Sequence, residues 1–163
     1  MFKKIVVGIA LIGLGAGGIH FFWPSKISPS ADYNSATKGF VKEGEVAFMD
    51  SAGNRLARID VEIASRPEER NQGLMYRDFM PAQFGMLFIF EQSAPRSFWM
   101  RNTVIPLDLI FVDDNNRIVS IQTDTKPYSD DPIRSQGPAM YVIEVNSGFC
   151  QKNNIKVGGL AKF

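Results

Sequence analysis

The sequence predicts a mainly β domain of the α+β class, with a compact antiparallel core and two short helices, preceded by one transmembrane helix. A small barrel is one form that this core can take. Three observations support this class. Short apolar stretches with strand periodicity outnumber helical ones, most of them are joined by turn-forming residues, and an apolar run of membrane-spanning length opens the chain. With 163 residues, the chain has room for one globular domain.

The first 23 residues predict an uncleaved signal anchor. Lys3 and Lys4 precede an apolar run over residues 5–23, and at ~1.5 Å rise per residue this run covers most of a ~30 Å hydrocarbon core. The lysines place the N-terminus in the cytoplasm, so the domain lies outside it, in the periplasm or extracellular space, as a part of the cell envelope. Cleavage as a signal peptide near Gly15-Ala16-Gly17, followed by secretion, is the second choice.

Residues 24–42 predict a flexible linker, since they are rich in Ser, Pro, Ala and Asn and show no apolar period. Lys3 and Lys4 account for two of the 18 basic residues, which leaves 16 against 17 acidic residues after position 23. This near-neutral balance does not favour nucleic acid as a partner. The predicted partners are the membrane, through residues 5–23, and a small polar ligand or another envelope protein.

Residues 43–163 predict a single β-rich domain, and its first half alternates between strands and one helix. Ser65 begins an S-x-x-E capping box with Glu68, which predicts a helix over residues 66–72 that ends near Gly73. Alternating or continuous apolar residues predict strands over 45–50, 58–64, 86–90 and 98–100.

The second half of the domain predicts a hairpin, a long loop and a second helix. Residues 107–112 and 117–122 are apolar runs separated by Asp113-Asp114-Asn115-Asn116, a turn composition. Residues 125–138 contain three prolines and predict a loop. A strand over 141–145, a short helix over 147–153 and a terminal strand complete the domain.

The scarcity of histidine and cysteine excludes several classes of site. The chain has one histidine, His20 in the apolar segment, and one cysteine, Cys150. A histidine triad, a histidine zinc site and a CxxC redox pair therefore lack the residues they need. A copper(I) site built from methionines is the competing interpretation, but filling of the core explains the methionines better. We predict no cofactor and no metal.

Four blocks of sequence resemble the domain of unknown function family 192. The longest is FWMRNTVIPLDLIFVDDNNRIVSI, residues 98–121. It is joined by EERNQGLMYRDFM, GMLFIF and YVIEVNSGFCQKNNIKVGG, which begin at positions 68, 85 and 141. The resemblance covers about 100 residues in consistent order. It implies a compact β-rich domain, often found behind an export signal, and it implies no catalytic role for any residue.

Two carboxylates that interrupt apolar strands are the candidate functional residues. Asp108 lies beside Ile110 and Val112, and Glu144 lies beside Val142. A buried carboxylate costs several kcal/mol unless it is paired, so each needs a donor. The candidate donors are Arg70, Arg77 and Asn102, with Trp99 and Met100 as an apolar wall.

Three functions remain open on these residues. The leading interpretation is a non-enzymatic envelope module, tethered to the membrane, which binds a small polar ligand or another protein. The second is a carboxylate-dependent hydrolase in which Asp108 and Glu144 serve as acid and base. The third is a purely structural interaction domain, in which the same carboxylates belong to a buried ion-pair network.

Overall fold

The computed structural model describes residues 39–163, and it is mainly β with two short helices, as predicted. The predicted transmembrane segment and most of the predicted linker lie outside the described residues. Within residues 39–163, no helix is both long and apolar enough to cross a bilayer. The elements are β1 (Gly44–Met49), β2 (Arg55–Ala64), α1 (Pro67–Gln72), β3 (Phe84–Ala94), β4 (Ser97–Phe98), β5 (Leu107–Val112), β6 (Ile118–Gln122), β7 (Ile133–Arg134), β8 (Ala139–Asn146), α2 (Phe149–Lys152) and β9 (Leu160–Lys162).

Seven strands form one sheet in the order β6-β5-β8-β3-β2-β1-β9. All neighbouring pairs are antiparallel except β2 and β3, which are parallel and joined through α1. The sheet is not a closed barrel, which corrects that expectation. Its edge strands β6 and β9 do not pair along their length. Their ends are joined by an isolated bridge between Arg117 and Leu160 and by backbone hydrogen bonds such as that from the Ile118 N–H to the Gly159 carbonyl oxygen.

Both faces of the sheet are covered, so both sets of alternating side chains in the central strands are buried. We call the two sides the α1 face and the α2 face. The α1 face packs Met86, Phe88 and Leu109 against Leu74, which follows α1. The α2 face packs Val46, Phe48, Ile59, Val61, Leu87, Ile110, Ile143 and Val145 against Phe149 and Cys150 of α2. Every residue of β5 is buried, which a one-sided sheet does not allow.

Helix α1 begins one residue later than the capping pattern predicts. Arg66 is the N-cap and Pro67 is the first helical residue. Glu69, rather than Glu68, accepts the N–H groups of Ser65 and Arg66, at 3.1 and 3.0 Å. The predicted pairing of Ser65 with Glu68 is therefore wrong. Bonds from the Arg66 side chain and these amides lower the pKa of Glu69 to about 2.

The end of the predicted linker contacts the sheet. Phe40 is buried on the α1 face, with its ring 5.8 Å from that of Phe84. The N–H of Val41 donates to the Glu62 carboxylate at 2.9 Å. The domain contacts therefore begin at or before Phe40, a few residues ahead of the first strand.

A second, two-stranded sheet joins the strand predicted over residues 98–100 to a strand within the region predicted as a loop. Strand β7 pairs with β4, Ile133 opposite Phe98 and Arg134 opposite Ser97. The remainder of residues 125–138 is irregular, as predicted. The β4–β7 pair matters for function because it holds Phe98 against the α1 face, with its ring 5.0 Å from that of Phe88.

Gly85 supplies a test of the central packing. A Cβ at this position would lie 2.6 Å from the Glu144 carbonyl oxygen and 2.8 Å from Ile59 Cδ1. Because the first obstacle is backbone, Gly85→Ala should destabilise the domain by about 1–3 kcal/mol in urea unfolding. Gly137→Ala, where the nearest atom is Val119 Cβ at 3.9 Å, is the control and should change stability little. Equal midpoints for the two variants would contradict this packing.

Candidate functional site

A cavity of about 290 Å³ opens on the α1 face, and we call it the Glu144 cavity. Helix α1 and the residues that follow it form one side, and β3, β4 and the segment 99–103 form the other. The aromatic side chains of Phe90, Phe98 and Trp99 line the cavity together with Thr103 and Glu144. An apolar wall with a few convergent polar groups is the usual composition of a small-molecule site.

Glu144 reaches the cavity from the middle of the sheet. Its strand β8 lies between β3 and β5, and the residues directly opposite Glu144 are Met86 on β3 and Leu109 on β5. Both neighbours are buried on the α1 face. The carboxyl group therefore stands among apolar side chains, and Glu144 is only 5% exposed.

No residue of the described chain, 39–163, donates a hydrogen bond to the Glu144 carboxyl group or forms an ion pair with it. Burial alone raises the pKa of Glu144 to about 8, since removal from water penalises the charged form and no cation offsets this. At neutral pH the group is mainly a neutral carboxylic acid, with one O–H donor and free acceptor capacity. This is a buried polar group that a ligand can satisfy.

Arg70 lines the same cavity, and three of its five N–H donors are already bonded within the protein. Its guanidinium donates to the carbonyl oxygens of Ser65 and Ile89, the latter at 3.0 Å, and pairs with the Glu91 carboxylate at 3.2 Å. It also lies 5.0 Å from the centre of the Phe90 ring. Arg70 therefore stiffens the wall of the cavity and does not neutralise Glu144.

Trp99 stands at the mouth of the cavity, 48% exposed, on a segment held by its neighbours. Arg101 lies over the Trp99 ring, 4.4 Å from its centre, and pairs with Asp130 at 2.7 Å. Asn102 donates to the Tyr76 hydroxyl at 2.8 Å, and both residues have positive φ, 53° and 64°. Such a backbone costs energy for a residue other than glycine and is found preferentially at functional sites.

Asp108 does not share this cavity with Glu144. In the β5–β8 ladder, Asp108 pairs with Val145, and Leu109 pairs with Glu144. Successive side chains of a strand point to opposite faces, so Asp108 lies on the α2 face and Glu144 on the α1 face. The two carboxyl groups are not brought together as an acid–base pair.

Asp108 is instead bonded to the start of α2. Its carboxylate accepts the N–H groups of Asp124, Gly148 and Cys150, at 3.0, 3.3 and 2.9 Å. The side chain is fully buried, and these amides replace the water that it has lost. Burial, and next the charge and hydrogen bond of Asp108, raise the pKa of the Cys150 thiol far above its usual range. Cys150 is therefore a protonated, unreactive thiol.

Arg77 lies outside the Glu144 cavity. Its guanidinium pairs with the Glu62 carboxylate at 2.7 Å, lies 4.3 Å from the centre of the Phe40 ring and donates to the Gly39 carbonyl oxygen at 3.1 Å. Arg77 thereby fastens the beginning of the domain to the sheet. Of the predicted donors, only Arg70 lines the cavity, and Asn102 holds the segment behind it.

Met100 does not line the Glu144 cavity, unlike its neighbour Trp99. It is 1% exposed, within the core of the α1 face. The hydroxyl of Thr125 donates to its sulfur at 3.3 Å, and its N–H donates to the Ser129 carbonyl oxygen at 2.9 Å. Met100 thus anchors the Trp99 segment from below.

The sequence pattern misses most of the cavity wall and one buried carboxylate. Phe90, Phe98 and Thr103 are among the lining residues that were not candidates. Glu62 is 8% exposed and lies in the same row of the sheet as Glu144, with Met86 between them. In the sequence Glu62 lies between Val61 and Ile63, like a solvent-facing residue of a strand in which apolar and polar residues alternate. This alternation alone predicts that Glu62 is exposed.

Within residues 39–163, no three side chains among His, Cys, Asp and Glu are close enough to hold a metal ion. The Glu144 cavity offers one neutral carboxyl group, the Arg70 guanidinium, hydroxyl and side-chain amide groups, and aromatic faces. These groups can bind and orient a small molecule.

The DUF192 family, described as Uncharacterized ACR, matches residues 48–163. Two solved structures are similar in fold and sequence. A protein described as a "putative transcription regulator" from Sinorhizobium meliloti 1021 is 34% identical, with a TM-score of 0.70, over 76% of this chain and 97% of that one. A protein of unknown function from Novosphingobium aromaticivorans DSM 12444 is also 34% identical, with a TM-score of 0.69, over 73% and 84%. No curated protein matches the chain.

The raised pKa of Glu144 predicts a pH-dependent stability. The unfolded carboxyl group ionises near pH 4.5 and the folded one near pH 8, so the folded state holds the extra proton between these values. The free energy of unfolding should therefore fall by about 1 kcal/mol for each pH unit from pH 5 to 7.5 because of this group. Urea unfolding of Glu144→Gln should lack this component, whereas Glu68→Gln, an exposed carboxyl on α1, should keep it. Identical slopes for wild type and Glu144→Gln would contradict the burial.

Replacement of Asp108 tests its structural role. In Asp108→Asn the amide NH₂ faces one of the backbone N–H donors, so the variant should lose about 1–3 kcal/mol in urea unfolding. Asp114→Asn is the control, since Asp114 accepts only from the neighbouring Asn115 side chain at an exposed turn. An Asp108→Asn variant as stable as the control would mean that the three amides do not need the carboxylate.

Proposed function

The chain belongs to the DUF192 family, and from this premise we propose that it is a non-enzymatic binding module of the cell envelope whose Glu144 cavity takes a small polar ligand. The module is tethered to the membrane through residues 5–23 and presents its β domain outside the cytoplasm. Nucleic acid is not among the proposed partners. The observation that supports the binding role is the buried, unpartnered Glu144 carboxyl group in a cavity with an aromatic wall.

Burial without a partner distinguishes Glu144 from the other buried carboxylates of the described chain. Asp108 accepts three backbone N–H groups, and Glu62 pairs with Arg77 and accepts the Val41 N–H. Asp108 is hydrogen-bonded at both carboxylate oxygens, and Glu62 is ion-paired, with its Oε2 held by the charge of Arg77 without a hydrogen bond. Glu144 is satisfied by nothing in residues 39–163, so the free energy that a hydrogen bond there would supply is left for a ligand.

The cavity supports binding rather than hydrolysis. An acid–base pair of carboxyl groups, as in glycoside hydrolysis, needs two of them flanking the reacting bond. Asp108 lies on the α2 face and bonds the start of α2, so it does not supply the second group. Glu62 lies two strands from Glu144, at about 10 Å for a strand spacing of ~4.8 Å, and is held by Arg77.

A fragment screen tests the binding role. The full chain in a non-ionic detergent should bind small polar fragments, detected by ligand-observed NMR. Asn71 lines the cavity and is exposed on α1, so Asn71→Phe should fill the mouth and weaken the binding of these fragments at least tenfold. Asn71→Ala is the control, because it removes the same amide without filling the space. Fragment binding that Asn71→Phe leaves unchanged would place the ligand elsewhere and contradict the proposal.

A further inference from the structure

We propose that the ligand of the Glu144 cavity is an organic cation, such as a protonated amine on a small apolar body. This inference rests on the proposed binding function and narrows it to one chemical class. The cavity combines an acidic group that lacks a cation with a wall of aromatic rings. A cationic ligand would form an ion pair with the acidic group and would be attracted to the faces of the aromatic rings.

The first support is the position of Glu144. It is 5% exposed, faces the cavity, and has only Met86 and Leu109 directly beside it in the sheet. A buried carboxylate without a partner is strongly unfavourable, whereas one that pairs with a cation and a hydrogen-bond donor is tolerated. Thr103, which also lines the cavity, has a hydroxyl that can hydrogen-bond the ligand.

The second support concerns the competing class, an anionic ligand. Arg70 is the basic residue that lines the cavity, and it would be the natural partner of an anion. Its guanidinium already pairs with Glu91 and donates to the Ser65 and Ile89 carbonyl oxygens, which uses three of its five N–H donors. An anion could use the two remaining donors, but it would also lie close to the carboxyl group of Glu144 and would be repelled by its ionised form. The cavity therefore suits an anion less well than a cation.

The third support is the aromatic wall. Ring faces attract cations through their quadrupole, and two rings of this wall already do so. Arg96 lies 3.8 Å from the centre of the Phe90 ring, and Arg101 lies 4.4 Å from that of Trp99. Arg70 also lies 5.0 Å from the centre of the Phe90 ring, so the lining ring that has no arginine over it in residues 39–163 is Phe98, which makes edge contacts with Phe88 and Phe90. The Phe98 ring can attract a cationic group of the ligand by the same physics.

Binding of a cation exchanges it for a proton. The neutral Glu144 carboxyl group loses its proton to solvent as the ammonium group enters, and the carboxylate and the ammonium then form an ion pair. The charged groups around Glu144 are Arg70 with Glu91 on the side of α1, Arg96 over the Phe90 ring, Arg101 with Asp130 at the mouth, and Glu62 with Arg77 farther along the same row of the sheet. The neighbouring strands contribute the uncharged Met86 and Leu109. Burial raises the pKa of Glu144 to about 8, so below that pH each binding event should release about one proton.

Three probes of one shape and different charge test the class: benzylamine, benzyl alcohol and benzoate. Trp23 and Trp99 are the two tryptophans, so Trp23→Phe in the full chain leaves Trp99 as the reporter of the cavity. At pH 7.5 benzylamine should quench Trp99 fluorescence with a Kd at least tenfold lower than that of the other two. An equal or lower Kd for benzyl alcohol or benzoate, or no binding of benzylamine, would overturn the proposal.

Proton release supplies the second readout. Calorimetry of benzylamine binding at pH 6.5, in two buffers that differ in ionisation enthalpy, should give about one proton released per ligand. Glu144→Gln should release none and bind at least tenfold more weakly, whereas the matched variant Glu68→Gln should behave like the parent. Benzylamine binding without proton release would also overturn the proposal.

The experiments distinguish an error in the proposed cation class from an error in the proposed binding function. If benzyl alcohol or benzoate binds best and Asn71→Phe abolishes this binding, the cation class is wrong and the cavity is still a ligand site. If fragments of every charge bind equally well to Asn71→Phe and to the parent, the binding function itself is wrong.

Discussion

The burial of β8 on both faces is the constraint on which the rest of the domain depends. This strand lies between β3 and β5, and covering both sides takes water away from every side chain it carries near its centre. Polar groups there must find partners inside the protein or remain unsatisfied. Asp108, on the neighbouring β5, accepts the N–H groups of Asp124 and of two residues at the start of α2. Glu144 has no such partner in residues 39–163, and this difference between the two carboxyl groups is the basis of the proposed function.

The element pattern of this fold is largely predictable from sequence, because it depends on local periodicity and turn chemistry. The hairpin around Asp113-Asp114-Asn115-Asn116 and the strand containing Glu144 appear where alternation and turn residues place them. Closure of the sheet depends on contacts between residues far apart in sequence, here Arg117 and Leu160, and no local pattern reports their extent. Strand β7 is also missed, because a strand of two residues has no period.

The candidate site shows where strand patterns stop being informative. Asp108 and Glu144 each lie among apolar residues within a strand. This pattern predicts that both carboxyl groups are buried, and both are. Whether they meet depends on the register of β5 against β8, and a shift of one residue exchanges the faces. Arg77 illustrates the same problem, since it follows Arg70 by seven residues and yet turns to Glu62 on another part of the α1 face. Trp99 and Arg70 do reach the cavity because their segments border Glu144 directly.

Competition between a proton and a ligand for one carboxyl group unites the stability of this domain with its proposed function. In the empty cavity a bound proton keeps Glu144 uncharged, and the folded protein retains this proton up to a pH of about 8. A cation that enters the cavity removes the need for that proton, because the ion pair then compensates the charge. Above the pKa of Glu144 the empty cavity holds an unpaired carboxylate. The ligand therefore stabilises the folded state most in this pH range. A ligand without charge would leave the proton in place, and its affinity would be indifferent to pH over the same range.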